Sequence, residues 1–159
     1  MCSSDLRHVV AIDALHDEFV GSAKSNWVKT AEALAAKKLL SSETVSRIAR
    51  VFAFGQFIGN TDMHFGNLAF FIDDVVAPKP ILAPVYDMLP MMWRPDAHQG
   101  ELDLTPVQQQ PKIAGYSNEY NEARQWAILF WQRAAELTAL DAATKKACVE
   151  SAYHLHKWT

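Results

Sequence analysis

Three oxygen-bearing side chains have types and a spacing suited to the transfer of a phosphoryl group. Asp62 and Asn67 stand five positions apart, and Asp87 follows 20 positions after Asn67. In a phosphotransfer loop with D-x-x-x-x-N spacing, the acid accepts the proton of a hydroxyl group and the amide oxygen binds Mg²⁺. The later carboxylate supplies a second metal ligand, although the Phe-Gly pair that usually follows it in protein kinases is absent here. The pattern predicts magnesium-dependent phosphotransfer with Asp62 as general base.

Two apolar runs predict how the metal ligands meet. Residues 68–72 and 81–85 are apolar, and a polar turn separates them. Two strands of a hairpin would return Asp87 to the side of Asn67, where both oxygens could bind one ion. Mg²⁺ prefers oxygen ligands and takes few of them from the protein.

Each of these residues also has a purely structural interpretation. Asp62 could cap a short helix, Asn67 could be a turn residue, and Asp87 could cap a helical turn at residues 88–93. Capping and metal binding do not exclude each other at Asp87. The combined spacing favours phosphotransfer.

His64 lies in the same loop and has three interpretations. It could orient the loop through a hydrogen bond, contact a phosphate, or bind a transition metal together with Asp62. A single Asp-x-His pair lacks the further ligands that a zinc or iron site needs. We therefore predict that His64 orients the catalytic loop of Asp62, while Asn67 and Asp87 hold the magnesium ion and, through it, the nucleotide.

Helical periodicity dominates the rest of the chain. Residues 27–38 and 42–57 show it, and it returns near Asn118 and again after Asp141, a good N-cap. The second of these helices leads directly into the loop, where Gly59 and Gly66 are expected to allow turns that a side chain forbids. The fold prediction is mainly α with one small β-hairpin.

Weaker signals complete the assignment. Residues 9–12 form a β-branched run that could be a strand, residues 13–26 are expected to be a loop with one helical turn, and Asn26 or Ser25 should cap the next helix. All seven prolines lie between residues 78 and 111, which makes residues 88–116 loop-rich. The stripe of Trp126, Phe130 and Trp131 is expected to be core.

Composition limits the class of protein. The 159 residues suit one domain, and the net charge of −3 without a basic block argues against direct nucleic-acid binding. No apolar run reaches the 18 or so residues that span a bilayer, so no membrane partner is expected. The first residues show no charged region followed by an apolar core, so no secretory signal is expected, and two cysteines predict neither a disulfide framework nor a zinc site. The expected compartment is the cytoplasm.

The first residues form a separate case. Residues 1–6 resemble the translation of the end of a sequencing adapter, and the alternative is an ordinary disordered start. We assign residues 7–159 to the folded domain.

Across residues 57–67 and 82–90, the sequence resembles the HipA family of serine/threonine kinases, toxins of bacterial toxin–antitoxin modules, and within it the YjjJ-like branch. Fainter similarity covers most of residues 7–155. The resemblance implies the C-terminal lobe of a kinase-like fold, with Asp62 as catalytic base and Asn67 and Asp87 as Mg²⁺ ligands. It also implies ATP as donor, a protein serine or threonine as acceptor (an aminoacyl-tRNA synthetase in better-known members) and a restraining antitoxin.

The chain lacks two motifs that bind the nucleotide in members of that family. It contains no G-x-G, and Val10-Ala11-Ile12-Asp13 has Asp where a V-A-I-K strand needs Lys. Clamping of the triphosphate supplies much of the rate of phosphoryl transfer. We therefore expect the N-terminal lobe to be missing and the fragment alone to be inactive as a kinase. Two alternatives stay open: a helical pseudokinase or binding module, and a metal-dependent hydrolase using Asp62, His64 and Asp87.

Overall fold

A computed structural model describes residues 8–74, 76–95 and 102–158. The contacts divide them into two compact units. The sheet unit contains the described residues up to Ile48 together with His64–Asp87. The helical unit contains Ala49–Met63 and the described residues from Met88 onward. The predicted boundary at residues 1–6 lies outside the described residues.

The sheet unit is built on three antiparallel strands. They are β1 (His8–Ala11), β2 (Ala69–Ile72) and β3 (Ile81–Leu82), in the order β1-β2-β3. The predicted hairpin is the β2–β3 pair, in which Phe70 faces Leu82. The strand expected at residues 9–12 forms as β1, one residue earlier than predicted. The prediction of one small hairpin was incomplete, because β1 pairs along all of β2 from His8–Ile72 to Ala11–Ala69.

Two helices of the sheet unit follow β1. The prediction of a loop over residues 13–26 was wrong in its first part, because α1 spans Ile12–Phe19. Ile12, Leu15 and His16 are buried on it, at the spacing of one helical face, and no glycine or proline interrupts the segment before Gly21. Helix α2 (Trp27–Ala36) begins as predicted at Asn26, whose side-chain oxygen accepts a hydrogen bond from the Lys29 amide at 2.9 Å.

Helix α3 (Ser42–Phe57) begins in the sheet unit and ends in the helical unit. The helical unit continues through a 3-10 turn at Met91–Trp93, then α4 (Ser117–Glu136) and α5 (Ala142–Lys157). Asp141 caps α5 as predicted, accepting a hydrogen bond from the Thr144 amide at 2.7 Å. Hydrogen bonds from the Thr144 amide and then from the Thr144 side chain hold the pKa of Asp141 below its ordinary value.

Within the described ranges, none of the helices combines the length and apolar character needed to cross a bilayer.

The core of the helical unit lies between α4, α5 and the end of α3. Its largest fully buried side chains are Trp131 and Phe57, and the Trp131 indole donates a hydrogen bond to the Phe57 carbonyl at 3.1 Å. The expectation that the aromatic stripe of α4 is all core was wrong at Trp126, which is 49% exposed. Five positions separate the two tryptophans, so they point about 140° apart around the helix.

Helix α3 ends in a cap that only glycine accommodates well. Gly59 has φ +69°, its amide bonds the Gln56 carbonyl at 3.1 Å, and the Asn60 amide bonds the Gly55 carbonyl at 2.9 Å. These two bonds form a Schellman motif, which satisfies the last carbonyls of a helix and turns the chain away. A β-carbon at Gly59 would also lie 2.0 Å from the sulfur of Met92. The predicted need for glycine at the entrance of the loop is thereby confirmed.

We expect Gly59→Ala to destabilise the chain more than Gly21→Ala, measured as the free energy of unfolding in urea. Gly21 has nearly the same φ, +67°, but nothing within 4 Å of an added β-carbon. Gly21→Ala should therefore cost only the backbone strain, about 1 kcal/mol. Gly59→Ala should cost at least about 2 kcal/mol, because overlap with Met92 adds to the strain. Equal costs would contradict close packing at Gly59.

Candidate active site

The predicted residues fall in different units. Asp62 belongs to the helical unit, whereas His64, Asn67 and Asp87 belong to the sheet unit. Asp62, His64 and Asp87 are exposed, and Asn67 is buried.

Asn67 and Asp87 are in contact. The side-chain amide nitrogen of Asn67 donates a hydrogen bond to a carboxylate oxygen of Asp87 at 3.2 Å. Asn67 stands just before β2, and Asp87 follows β3, so the antiparallel pairing of these strands brings the two residues together. The return of Asp87 to Asn67 that the two apolar runs predicted is therefore observed.

A second contact, between the neighbours of these residues, reinforces the first. The Tyr86 hydroxyl donates a hydrogen bond to the Gly66 carbonyl. Consecutive residues after β3 thus hold consecutive residues before β2, and we call Gly66, Asn67, Tyr86 and Asp87 the clasp. The sequence analysis missed Tyr86; its position directly before Asp87 was the available signal.

The backbone of the clasp is strained at its acid. Asp87 has φ +54°, in the left-handed region that non-glycine residues seldom occupy. Such conformations cost about 1–3 kcal/mol and concentrate where a side chain must be aimed for function. Aspartate tolerates this region better than most residues, so the position suits an acid.

His64 shapes the loop before the clasp. Its Nδ1 accepts a hydrogen bond from the Gly66 amide at 3.0 Å and so caps the 3-10 turn Phe65–Asn67. A β-carbon at Gly66 would lie 2.8 Å from the imidazole, so glycine is needed there for close approach and not for a positive φ. The His64 carbonyl accepts a hydrogen bond from the buried Trp27 indole at 3.1 Å, which ties the loop to α2.

A buried histidine that the sequence analysis did not single out supports the same loop. His16 is 2% exposed; its Nδ1 lies 2.9 Å from the Thr30 hydroxyl and its Nε2 lies 2.8 Å from the Ser22 carbonyl. The imidazole meets the Phe65 ring edge-on, with centroids 6.0 Å apart. Because both nitrogens of the His16 imidazole have hydrogen-bond partners, the ring can be buried at little cost. The same two partners fix the orientation of the imidazole against the Phe65 ring.

A cation also lies beside Phe65. The Lys24 nitrogen lies 5.9 Å from the centre of the Phe65 ring and pairs with Asp13 and, at 2.8 Å, with Asp17. The hydrogen bond to Asp13, followed by that to Asp17, raises the pKa of Lys24. The charge of this lysine is therefore balanced by α1.

Asp62 follows the Schellman cap of α3. Its backbone amide donates a hydrogen bond to the side-chain oxygen of Asn60 at 2.9 Å. Asn60 is only 5% exposed, and its amide nitrogen lies 3.5 Å from the sulfur of Met88. A buried side chain thus fixes the backbone of an exposed acid, an arrangement suited to a group that must meet substrate in a defined direction. Sequence analysis did not identify Asn60 as a positioning residue.

The donor set fits magnesium better than a transition metal. Asn67 and Asp87 offer an amide and a carboxylate oxygen, the ligand types that Mg²⁺ prefers. Within residues 8–74, 76–95 and 102–158, no group of three or more His, Cys, Asp or Glu side chains is arranged to hold a metal ion.

Comparison with known proteins gives the family. The HipA-like C-terminal domain matches residues 6–158. The chain is also 32% identical over 127 residues to the protein named Toxin YjjJ of Escherichia coli (strain K12), an alignment that covers 80% of this chain and 28% of that toxin. The chain therefore spans less than a third of the length of this relative. The match extends over nearly the whole sequence, and the chain belongs to the family of HipA-like C-terminal domains.

Proposed function

We propose that this chain is the catalytic lobe of a serine/threonine protein kinase, which in the complete enzyme transfers the γ-phosphoryl group of ATP to a protein hydroxyl. The observation that carries the proposal is the 3.2 Å contact between Asn67 and Asp87, in a chain of the HipA-like family. Two candidate magnesium ligands far apart in sequence meet at one place, and D-x-x-x-x-N spacing links one of them to a candidate base.

Asn67 and Asp87 would hold the metal. In the structure the amide nitrogen of Asn67 faces the carboxylate, so binding a cation between them requires the amide to turn its oxygen inward. When bound, Mg²⁺ neutralises phosphate charge and orients the triphosphate. The exposed carboxylate of Asp87 provides the negative charge that attracts the ion, and the buried amide of Asn67, once turned, provides a neutral oxygen ligand.

Asp62 would act on the acceptor. Its exposed carboxylate accepts the proton of a serine or threonine hydroxyl as the oxygen attacks phosphorus. Asn60 holds the backbone of Asp62, and His64 holds the backbone at Gly66, so both are positioning residues. The hydrogen bond of His64 to Gly66 supports the proposal that His64 orients the loop.

The wider setting follows from the family and the toxin relative. We propose ATP and Mg²⁺ as cofactors, a protein substrate such as an aminoacyl-tRNA synthetase, an antitoxin partner, and a cytoplasmic location. The groups that would clamp the triphosphate, a G-x-G loop and a strand lysine, do not occur in this chain. This departure keeps the pseudokinase interpretation as a second candidate, and it is also why the isolated chain should show little turnover.

The first test of the proposal is metal binding by the chain itself. We expect Mn²⁺, a paramagnetic substitute for Mg²⁺, to bind with a dissociation constant that electron paramagnetic resonance can measure. Asp87→Asn should weaken that binding about tenfold or more, because the carboxylate charge provides most of the attraction. Asp73→Asn, an exposed acid of the same unit, is the matched control and should have little effect. Absence of Mn²⁺ binding by the unaltered chain would contradict the proposed site.

The clasp predicts a smaller effect from Tyr86→Phe. Loss of the hydroxyl removes the bond to Gly66, so the end of β3 should hold Asp87 less firmly. We expect Mn²⁺ affinity to fall about three- to tenfold, the range that corresponds to one net hydrogen bond. Tyr153→Phe, the same chemical change at an exposed position of α5, should leave the affinity unchanged. Identical affinities in both variants would show that the hydroxyl does not position the acid.

The base is tested by Asp62→Asn in the complete enzyme. Phosphorylation of a protein substrate from radiolabelled ATP should fall by about 10²–10⁴, the usual contribution of a general base. Affinity for Mn²⁺ and ATP should change less than threefold, since Asp62 is not proposed as a metal ligand. Unchanged phosphorylation would exclude Asp62 as base, and a complete enzyme that binds nucleotide without phosphotransfer would establish the pseudokinase.

A further inference from the structure

The helical unit contains an apolar cleft that plays no part in the proposed phosphotransfer. Its volume is about 640 Å³, and it lies along α4, near the start of α5 and the Met91–Trp93 turn. Pockets that bind small organic molecules are typically about 300–1,000 Å³ and mostly apolar. The side chains that decide its chemistry are Phe54, Trp93, Trp126, Phe130, Trp131 and Arg133.

We infer that this cleft binds a small aromatic monoanion, a molecule with a flat apolar body and one carboxylate or sulfonate group. The inference is independent of the proposed kinase function, because none of the lining residues belongs to the clasp or to the loop that carries Asp62.

The walls favour an aromatic body. Trp131 lies 4.7 Å from Trp93 and 5.0 Å from Phe130, and Phe130 lies 6.0 Å from Phe54, measured between ring centroids. These rings meet edge-on or tilted, the geometry that aromatic pairs prefer. A further planar ring in the cleft would extend the same series.

The rim is apolar as well. Trp126 is 49% exposed, Leu129 50% and Leu137 55%. Large apolar side chains held half in water around a concave surface favour a ligand that removes them from solvent. Trp126 is also kept in place, because the Arg50 guanidinium lies 5.6 Å from its ring centre and pairs with Glu122 at 2.6 Å.

The charge of the residues that line the cleft favours an anionic ligand. Arg133 is the one charged side chain among the described residues that line the cleft, although the chain as a whole carries a net charge of −3. The other polar groups of the wall are already used or neutral. Thr144 interacts with the carboxylate of Asp141, and burial raises the pKa of the Cys148 thiol and keeps it protonated. A guanidinium beside an apolar wall is the arrangement that selects an amphipathic anion.

The test compares two probes that share the same ring system. 1-Anilinonaphthalene-8-sulfonate carries a negative charge, and N-phenyl-1-naphthylamine is the neutral molecule without the sulfonate. Fluorescence titration of the folded chain should show one equivalent of each probe bound. Arg133→Gln should weaken binding of the anionic probe about two- to fivefold, as expected for one solvent-accessible ion pair, and should leave binding of the neutral probe unchanged.

Matched variants separate local charge from net charge. Arg47→Gln removes an exposed arginine from the sheet unit and should change neither affinity. Arg133→Lys keeps the charge and should retain most of the affinity for the anion. Urea unfolding of each variant verifies that it is folded.

Three results would overturn the inference. They are no saturable binding by the folded chain, equal effects of Arg133→Gln on both probes, and an equal loss of anion binding in Arg47→Gln. Concentration-dependent dimerisation that abolishes probe binding would assign the cleft to a second copy of the chain, and competition by an apolar helical peptide alone would assign it to a protein partner.

Discussion

The pairing of β2 with β3 is the constraint on which the candidate metal site depends. The side chains of Asn67 and Asp87 are short, and they meet only because the antiparallel register places the residues before one strand next to those after the other. A slip of one residue would turn every side chain of the strand to the opposite face and separate the pair. Strand β1 covers the other edge of β2 and extends the sheet to three strands. A two-stranded hairpin alone is only marginally stable in water.

Hydrogen bonds between buried side chains and nearby backbone groups add to this arrangement. The Trp27 indole on α2 donates to the carbonyl of His64, and the Asn60 side-chain oxygen accepts from the amide of Asp62. In both cases a buried polar atom is paired with the backbone of a residue whose side chain is exposed. The pairing satisfies the buried atom and fixes the backbone that carries the exposed side chain.

The proposed metal site and the proposed ligand cleft depend on different interactions. The clasp region gathers oxygen atoms, accepts backbone strain at Asp87 and would acquire its function with a divalent ion. The cleft is lined by aromatic rings and by one arginine, and its proposed ligand needs no metal. The two proposals can therefore be tested independently.

The local sequence alone determined several features of this protein. The helix caps at Asn26 and Asp141, the hairpin between Asn67 and Asp87, and the glycine at Gly59 follow from short-range rules, because each depends on residues close in sequence or on a simple two-strand return. The D-x-x-x-x-N spacing is the basis of the phosphotransfer proposal, and the resemblance to the HipA family is confirmed.

Long-range packing decided the rest. Helix α1 replaced a predicted loop because its face is buried, Trp126 stayed in water because Trp131 occupies the core side of α4, and β1 joined the sheet across more than 50 residues of intervening chain. The contacts of His16 with the Thr30 hydroxyl and of Tyr86 with the Gly66 carbonyl join residues 14 and 20 positions apart, so they are visible only in three dimensions. A hydrogen-bond partner distant in sequence leaves no periodicity or spacing, so only the tertiary structure could reveal these contacts.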